Sequence, residues 1–123
     1  MAFSTEQRLD RSNSIGLIFD LVDSELLGSR TWTINNTGYA QSGQGKHPAS
    51  TNAQGIYMIY AQRAVMGRMM GLEAWTLPAG MEVDHVNGNK LDNRRSNLEL
   101  VTRQENMRRM HARQAGLRKA VAA

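Results

Sequence analysis

Asp84 and His85 stand side by side in this chain, Asn93 and Asn97 follow in a polar stretch, and Asn106 lies four residues beyond Thr102. An acid, a base and several amides in that order suit the metal-assisted hydrolysis of a phosphodiester. That reaction needs a nucleophile, neutralisation of the phosphoryl oxygens and help for the leaving 3′ oxygen. A divalent ion supplies the last two as a Lewis acid, and a neutral imidazole deprotonates water near physiological pH. Asp84 and Asn106 are oxygen ligands suited to hard Mg²⁺, the first expectation, or to Mn²⁺; such ions keep several waters and lean on substrate phosphate. His85 is the histidine placed to act as base. Asn97 carries an amide that donates and accepts at once, so it is expected to bridge loop backbone and fix the segment bearing His85.

The elements that must position these residues follow from local pattern. Residues 81–86 suit a strand, Asn87-Gly88 a tight turn, and the alternating Leu98-Glu99-Leu100-Val101-Thr102 its antiparallel partner. Thr102-x-x-Glu105 reads as a capping box, with a helix expected from Arg103 to about Gln114 and Gly116 as its stop. On that helix Asn106 shares a face with Arg109, Met110 and Arg113 by i+3, i+4 and i+7 spacing. His111 is rotated by about 140° from Asn106 and is not expected in the same site. One tension remains: adjacent strand residues point to opposite faces, so Asp84 and His85 are expected at the strand end, where the pleat gives way to a loop.

Upstream, residues 1–14 lack a sustained apolar pattern and read as a flexible arm. Residues 15–22 suit a first strand, with a turn or short helix near residues 23–28. Residues 31–34 suit a half-buried strand, turning through Asn35-Asn36-Thr37-Gly38 to a hairpin partner at residues 39–41. Residues 42–54 have little to bury and read as a long mobile loop. A strand at 56–60 then leads into a helix over 61–70, with Ala64, Val65 and Met69 as its buried stripe and Gly71 as its end. The methionines there are gap-filling core rather than ligands. The expected organisation is an arm (1–14), a β-rich lead-in with one helix (15–76) and a core with a basic C-terminal helix (77–123), all in one compact domain.

Composition narrows the partners. Fifteen Lys and Arg against eleven Asp and Glu give 123 residues a net charge of +4 and a pI near 10.0, which favours a polyanion. The excess lies from Lys90 onward. With no cysteine there is no disulfide and no thiolate zinc site, and no structural zinc is expected. No apolar run reaches the roughly 20 residues of a membrane span, so the expectation is an intracellular, cytoplasmic protein with no membrane partner.

The segment from Leu77 to Arg109 resembles the HNH endonuclease motif in the variant whose third position is Asn. It reads Asp84-His85-x-Asn87-Gly88-x-x-x-Asp92-Asn93-Arg94-x-x-Asn97-Leu98, and is especially similar to small phage-associated and homing-type members. The resemblance implies an α+β fold with a ββα-metal (His-Me finger) core preceded by a small β-rich lead-in. It implies one divalent ion, double-stranded DNA as substrate, and cleavage to 5′-phosphate and 3′-hydroxyl. Position by position it makes Asp84 and Asn106 the metal ligands, His85 the general base, Asn97 the structural amide and Asn93 a structural loop residue. Arg94, Arg95, Arg103, Arg109 and Arg113 are the expected DNA contacts. One departure is Gln62, before Arg63, where the family commonly has His, which leaves a substrate contact from that position open. The competing reading is a DNA-binding accessory module of phage DNA processing with weak or no turnover. Target sequence, nick or double-strand cut, and monomer or homodimer are not set by these residues.

Overall fold

The computed structural model describes residues 6–8, 15–46 and 56–122. Among them an α+β fold is built from three small antiparallel sheets and helices packed on them. Three residues of the expected arm, Glu6–Arg8, form β1, which pairs with β2 (Ile18–Asp20). The rest of the arm lies outside the described residues.

The strand expected over 15–22 is confined to β2. The chain leaves it through a 3-10 turn at Leu21–Asp23 into α1 (Ser24–Gly28), because Asp20 and Asp23 turn inward to partners on a distant loop. Trp32, almost fully buried, anchors the next segment by donating its Nε1–H to the Leu27 carbonyl at 2.7 Å. β3 (Thr33–Ile34), β4 (Ala40–Lys46) and β5 (Ile56–Tyr60) then form an antiparallel sheet in chain order. The hairpin turn uses the Asn35 side chain, whose Oδ1 accepts from the Thr37 and Tyr39 amides at 3.0 Å each.

β4 corrects the long loop expected from residue 42. Ser42 to Lys46 pair with β5 across a register shift between Gly43 and Lys46, so a partner arriving from further along the chain supplies the backbone bonds that local composition does not. The remainder of that loop, residues 47–55, lies outside the described residues.

α2 (Ala61–Met70) ends as expected at Gly71, whose φ of 71° suits the left-handed cap. Its buried stripe differs in one residue: Val65 is fully buried and Ala64 packs partly buried against the core, but Met66 joins the core in place of Met69, which is 42% exposed. The core side of α2 therefore runs through Ala61, Val65 and Met66, facing Leu17, Phe19, Leu27 and Ile59 as well as Val83 and Leu98. Gly67 sits where the chain doubles back: a Cβ there would lie 2.7 Å from the Leu72 carbonyl oxygen.

β6 (Met81–His85) and β7 (Leu98–Thr102) pair over their full length, from Met81 opposite Thr102 to His85 opposite Leu98. α3 (Arg103–Ala122) follows directly. Only half of the expected capping box forms. Thr102 Oγ1 accepts from the Glu105 amide at 3.1 Å, but the Glu105 carboxylate is taken by Arg108 and Arg109, which hold it down to about 2. α3 also runs through Gly116 rather than stopping there. The residues beyond it, Leu117 to Ala122, are mostly good helix formers, and one interior glycine costs a helix only about 1 kcal/mol.

The lead-in and the hairpin share backbone bonds. Ile18 donates to the Leu91 carbonyl at 2.9 Å and accepts from the Asn93 amide at 2.8 Å, forming a parallel bridge opposite Asp92. Arg95 completes the joint. Its amide donates to Asp20 at 2.8 Å, and its guanidinium grips the fully buried Asp23 through two bonds of 3.0 and 2.8 Å.

Candidate active site

Strand alternation distributes the chemistry of β6. Glu82 and Asp84 bond to side chains of α3, whereas Val83 joins the core and His85 meets the loop that follows. His85 is the last residue of β6, so the ladder stays regular through the Asp84-His85 pair and ends immediately after it. Both side chains are buried, at 3% and 4% exposure, yet both line one cavity of about 60 Å³ with Asn106, Met110, Arg113, Tyr39 and Lys90. A larger cleft of about 400 Å³, lined by Leu26, Arg30, Ile59 and Arg68 among others, contains none of the motif residues.

His85 Nε2 is 2.9 Å from Asn93 Oδ1, inside the protein. An amide oxygen only accepts, so Nε2 carries the proton and neutral His85 keeps its lone pair on Nδ1. Burial favours the neutral form and pushes the imidazole below its ordinary value, against the opposing influence of the Asn93 bond and of Asp84. The Tyr39 ring lies beside it, 6.0 Å between centroids. Tyr39 in turn meets Tyr60 edge-on and carries Lys90 Nζ over its face at 4.7 Å, while Lys90 donates to the Thr37 carbonyl. Burial raises the Tyr39 phenol, with Glu82 and Asp84 adding to the effect.

The loop between β6 and β7 is held by amides. Asn97 Oδ1 accepts from the Asn87 backbone at 2.9 Å, and its Nδ2 donates to Asn87 Oδ1 and to the Asp92 carbonyl at 2.9 and 2.8 Å. Asp92 is held by both arms of Arg94, at 2.8 and 2.6 Å, and by Asn87 Nδ2, which together keep its carboxyl below the usual range. Asn97 thus spans the loop, and the amide that touches the imidazole is Asn93, fully buried.

Across the cavity, α3 brings four side chains to β6. Asn106 Nδ2 donates to Glu82 Oε1 at 2.8 Å. Arg109 contacts Asp84, Glu99 and Glu105, at 3.0, 2.8 and 2.7 Å. Arg113 sets one nitrogen 3.1 and 3.0 Å from the two Asp84 oxygens and 3.0 Å from the His85 carbonyl. Arg103 reaches Glu82 at 3.2 Å from a largely exposed position.

All five arginines expected at DNA are joined to carboxylates of the chain: Arg94 and Arg95 to the loop and the lead-in, Arg103 to Glu82, Arg109 to three at once and Arg113 to Asp84. His111 is exposed on α3 and lines neither cavity named above. Gln62 is buried with Oε1 unpartnered, so the position open for a substrate contact faces the interior.

A family model described as HNH endonuclease matches residues 76–108, the stretch that holds the hairpin, its loop and the first turns of α3. The chain belongs to the HNH endonuclease family. A curated relative, "SPbeta prophage-derived putative HNH homing endonuclease YosQ" of Bacillus subtilis (strain 168), is 35% identical over 96 residues. The match covers 70% of this chain and 54% of the relative, so the chain spans about half the length of that protein. No solved structure matches the chain.

HNH nucleases generally use a divalent metal. No group of three or more His, Cys, Asp or Glu side chains among the described residues could hold one. The cavity instead offers one carboxylate, Asp84, and one amide, Asn106, a sparse oxygen set that fits a hard ion keeping its waters and completing its shell on phosphate. The buried Asp84 charge is balanced by Arg109 and Arg113, so any cation reaching it competes with Arg113.

Sequence reasoning missed three residues of this HNH site. Glu82 was legible in principle, because i, i+2 spacing on a strand places it on the face of Asp84. Tyr39 and Lys90 carry no such signal, since neither one's place at the cavity follows from its own neighbours in sequence.

Proposed function

We propose that this HNH protein is a metal-dependent endonuclease that hydrolyses DNA to 5′-phosphate and 3′-hydroxyl. The observation that supports the reading is the convergence of Asp84, His85 and Asn106 on one cavity, with the His85 tautomer set by Asn93. A divalent ion, Mg²⁺ or Mn²⁺, held by Asp84 and Asn106 supplies Lewis-acid stabilisation of the phosphoryl oxygens and the leaving 3′ oxygen.

The residues divide the remaining work. His85 takes the proton of the attacking water on Nδ1 while its Nε2–H stays on Asn93. As the new P–O bond forms, the bond to the 3′ oxygen breaks, and that oxygen leaves as a hydroxyl after taking a proton from solvent. Asn97 keeps the loop closed so that Asn93 stays against the imidazole. Arg113 exchanges the Asp84 carboxylate for a DNA phosphate, since a guanidinium suits both. Exposed Arg103 adds a second phosphate contact. One site per chain makes a nick in double-stranded DNA the product of a single copy. The name of the Bacillus subtilis relative, a prophage-derived putative homing endonuclease, supports a phage or homing setting.

The cover of Arg109 and Arg113 over Asp84 favours a second reading, a DNA-binding module without turnover. Supercoiled plasmid separates the two. The enzyme nicks it with Mg²⁺ or Mn²⁺, stops with EDTA, and loses about 10²- to 10⁴-fold in rate as His85→Ala. Equal nicking by the variant would remove His85 as the base, and binding without nicking in either metal would leave the second reading standing.

A further inference from the structure

We propose that Glu82 is a positioning residue for the cation site, holding the Asn106 amide so that its carbonyl oxygen is the atom presented for ligation. This rests on the role given to Asn106 above.

Glu82 and Asp84 are two apart on β6 and meet α3 on the same face, Glu82 at Arg103 and Asn106 and Asp84 at Arg109 and Arg113. Glu82 Oε1 accepts from Asn106 Nδ2 at 2.8 Å, and Oε2 accepts from Arg103 Nε at 3.2 Å. A carboxylate can only accept, so the amide facing it must present its NH₂ group. The reversed amide would set two oxygens against each other, one of them charged, and would lose a charge-assisted bond. With Nδ2 committed to Glu82, Oδ1 is the polar atom Asn106 has left, and Asn106 lines the cavity of Asp84 and His85. An asparagine is a poor ligand until its amide is turned the right way, whereas an aspartate ligates with either oxygen. Residues that orient a ligand in this way typically account for 10- to 100-fold in metal affinity.

That difference between amide and carboxylate defines the test. Mn²⁺ affinity is measured without DNA by water-proton relaxation, and the half-saturating Mn²⁺ concentration in plasmid nicking is measured beside it. Circular dichroism melting verifies that each variant is folded. Glu82→Ala is expected to weaken Mn²⁺ binding by about 10- to 100-fold, while Glu82→Gln, whose carbonyl can still accept from Nδ2, recovers most of it. In an Asn106→Asp background the Glu82→Ala change is expected to cost nothing, because no amide remains to be oriented.

An equal loss in both backgrounds would make Glu82 a strut of the hairpin and overturn the proposal. Wild-type affinity in Glu82→Ala, with Asn106→Ala impaired, would overturn it while sparing the cation site. Wild-type affinity in Asn106→Ala would overturn both.

Discussion

At the scale of single residues, the site is governed by which atoms can still accept a proton or a cation. His85 is buried beside Asn93, and its imidazole lies below the ordinary 6.5. A group whose folded value is depressed contributes stability that is fully present above its unfolded value and is lost as pH falls through the folded one. Urea midpoints should therefore fall as pH drops below about 6.5, and fall less steeply in His85→Gln; parallel curves for the two proteins would mean that His85 is not held neutral by the fold. The same depression favours the neutral imidazole at neutral pH, the form the proposed role of His85 as base requires. Glu105 is also held below its ordinary value, by its ion pairs rather than by burial. It reads in the sequence as half of a capping box, yet two arginines on its own helix outcompete the distant cap amide, because charge-assisted bonds are the stronger ones.

At the scale of elements, two glycines make opposite demands. Gly67 lies where α2 meets the turn back through Leu72, and a Cβ would press to 2.7 Å against a backbone oxygen that cannot swing aside. Gly67→Ala is expected to cost about 1–3 kcal/mol, the usual penalty for overpacking. Gly116 lies within α3 with nothing within 4 Å of a Cβ, so Gly116→Ala is expected to add about 0.5–1 kcal/mol to helix stability. Thermal melts and far-ultraviolet dichroism of the two variants measure the contrast; a stabilised Gly67→Ala would refute the close approach. The hairpin β6–β7 and α3 were legible because alternation, Asn87-Gly88 and Thr102 are local signals. The length of β4 was not, since Ser42 to Lys46 become strand only when β5 lies beside them. The buried face of α2 was likewise decided by neighbours from both parts of the chain, which took Met66 in place of Met69.

At the scale of the whole molecule, the lead-in is part of the support of the loop between β6 and β7. Asn93 is fixed at its side chain by His85 and at its amide by Ile18, and Arg95 ties the loop to Asp20 and the buried Asp23. Arg95→Ala leaves that carboxylate without its closest ion-pair partner and is expected to cost about 3 kcal/mol in urea denaturation. An unaffected midpoint would mean that the two parts are not held together through Arg95. The sequence by itself determined the family and the α+β class, and it singled out Asp84, Asn106 and His85 as the candidates for metal and base, because residue type and spacing within a short segment carry those signals. Only the tertiary structure decided that Asn93 touches the His85 imidazole while Asn97 spans the loop, that the five arginines expected at DNA pair with carboxylates of the chain itself, and that Glu82, Tyr39 and Lys90 stand around the site. Those are contacts between residues far apart in the chain or across a folded loop, and hydrogen bonds and ion pairs go to whichever partner packing brings within reach.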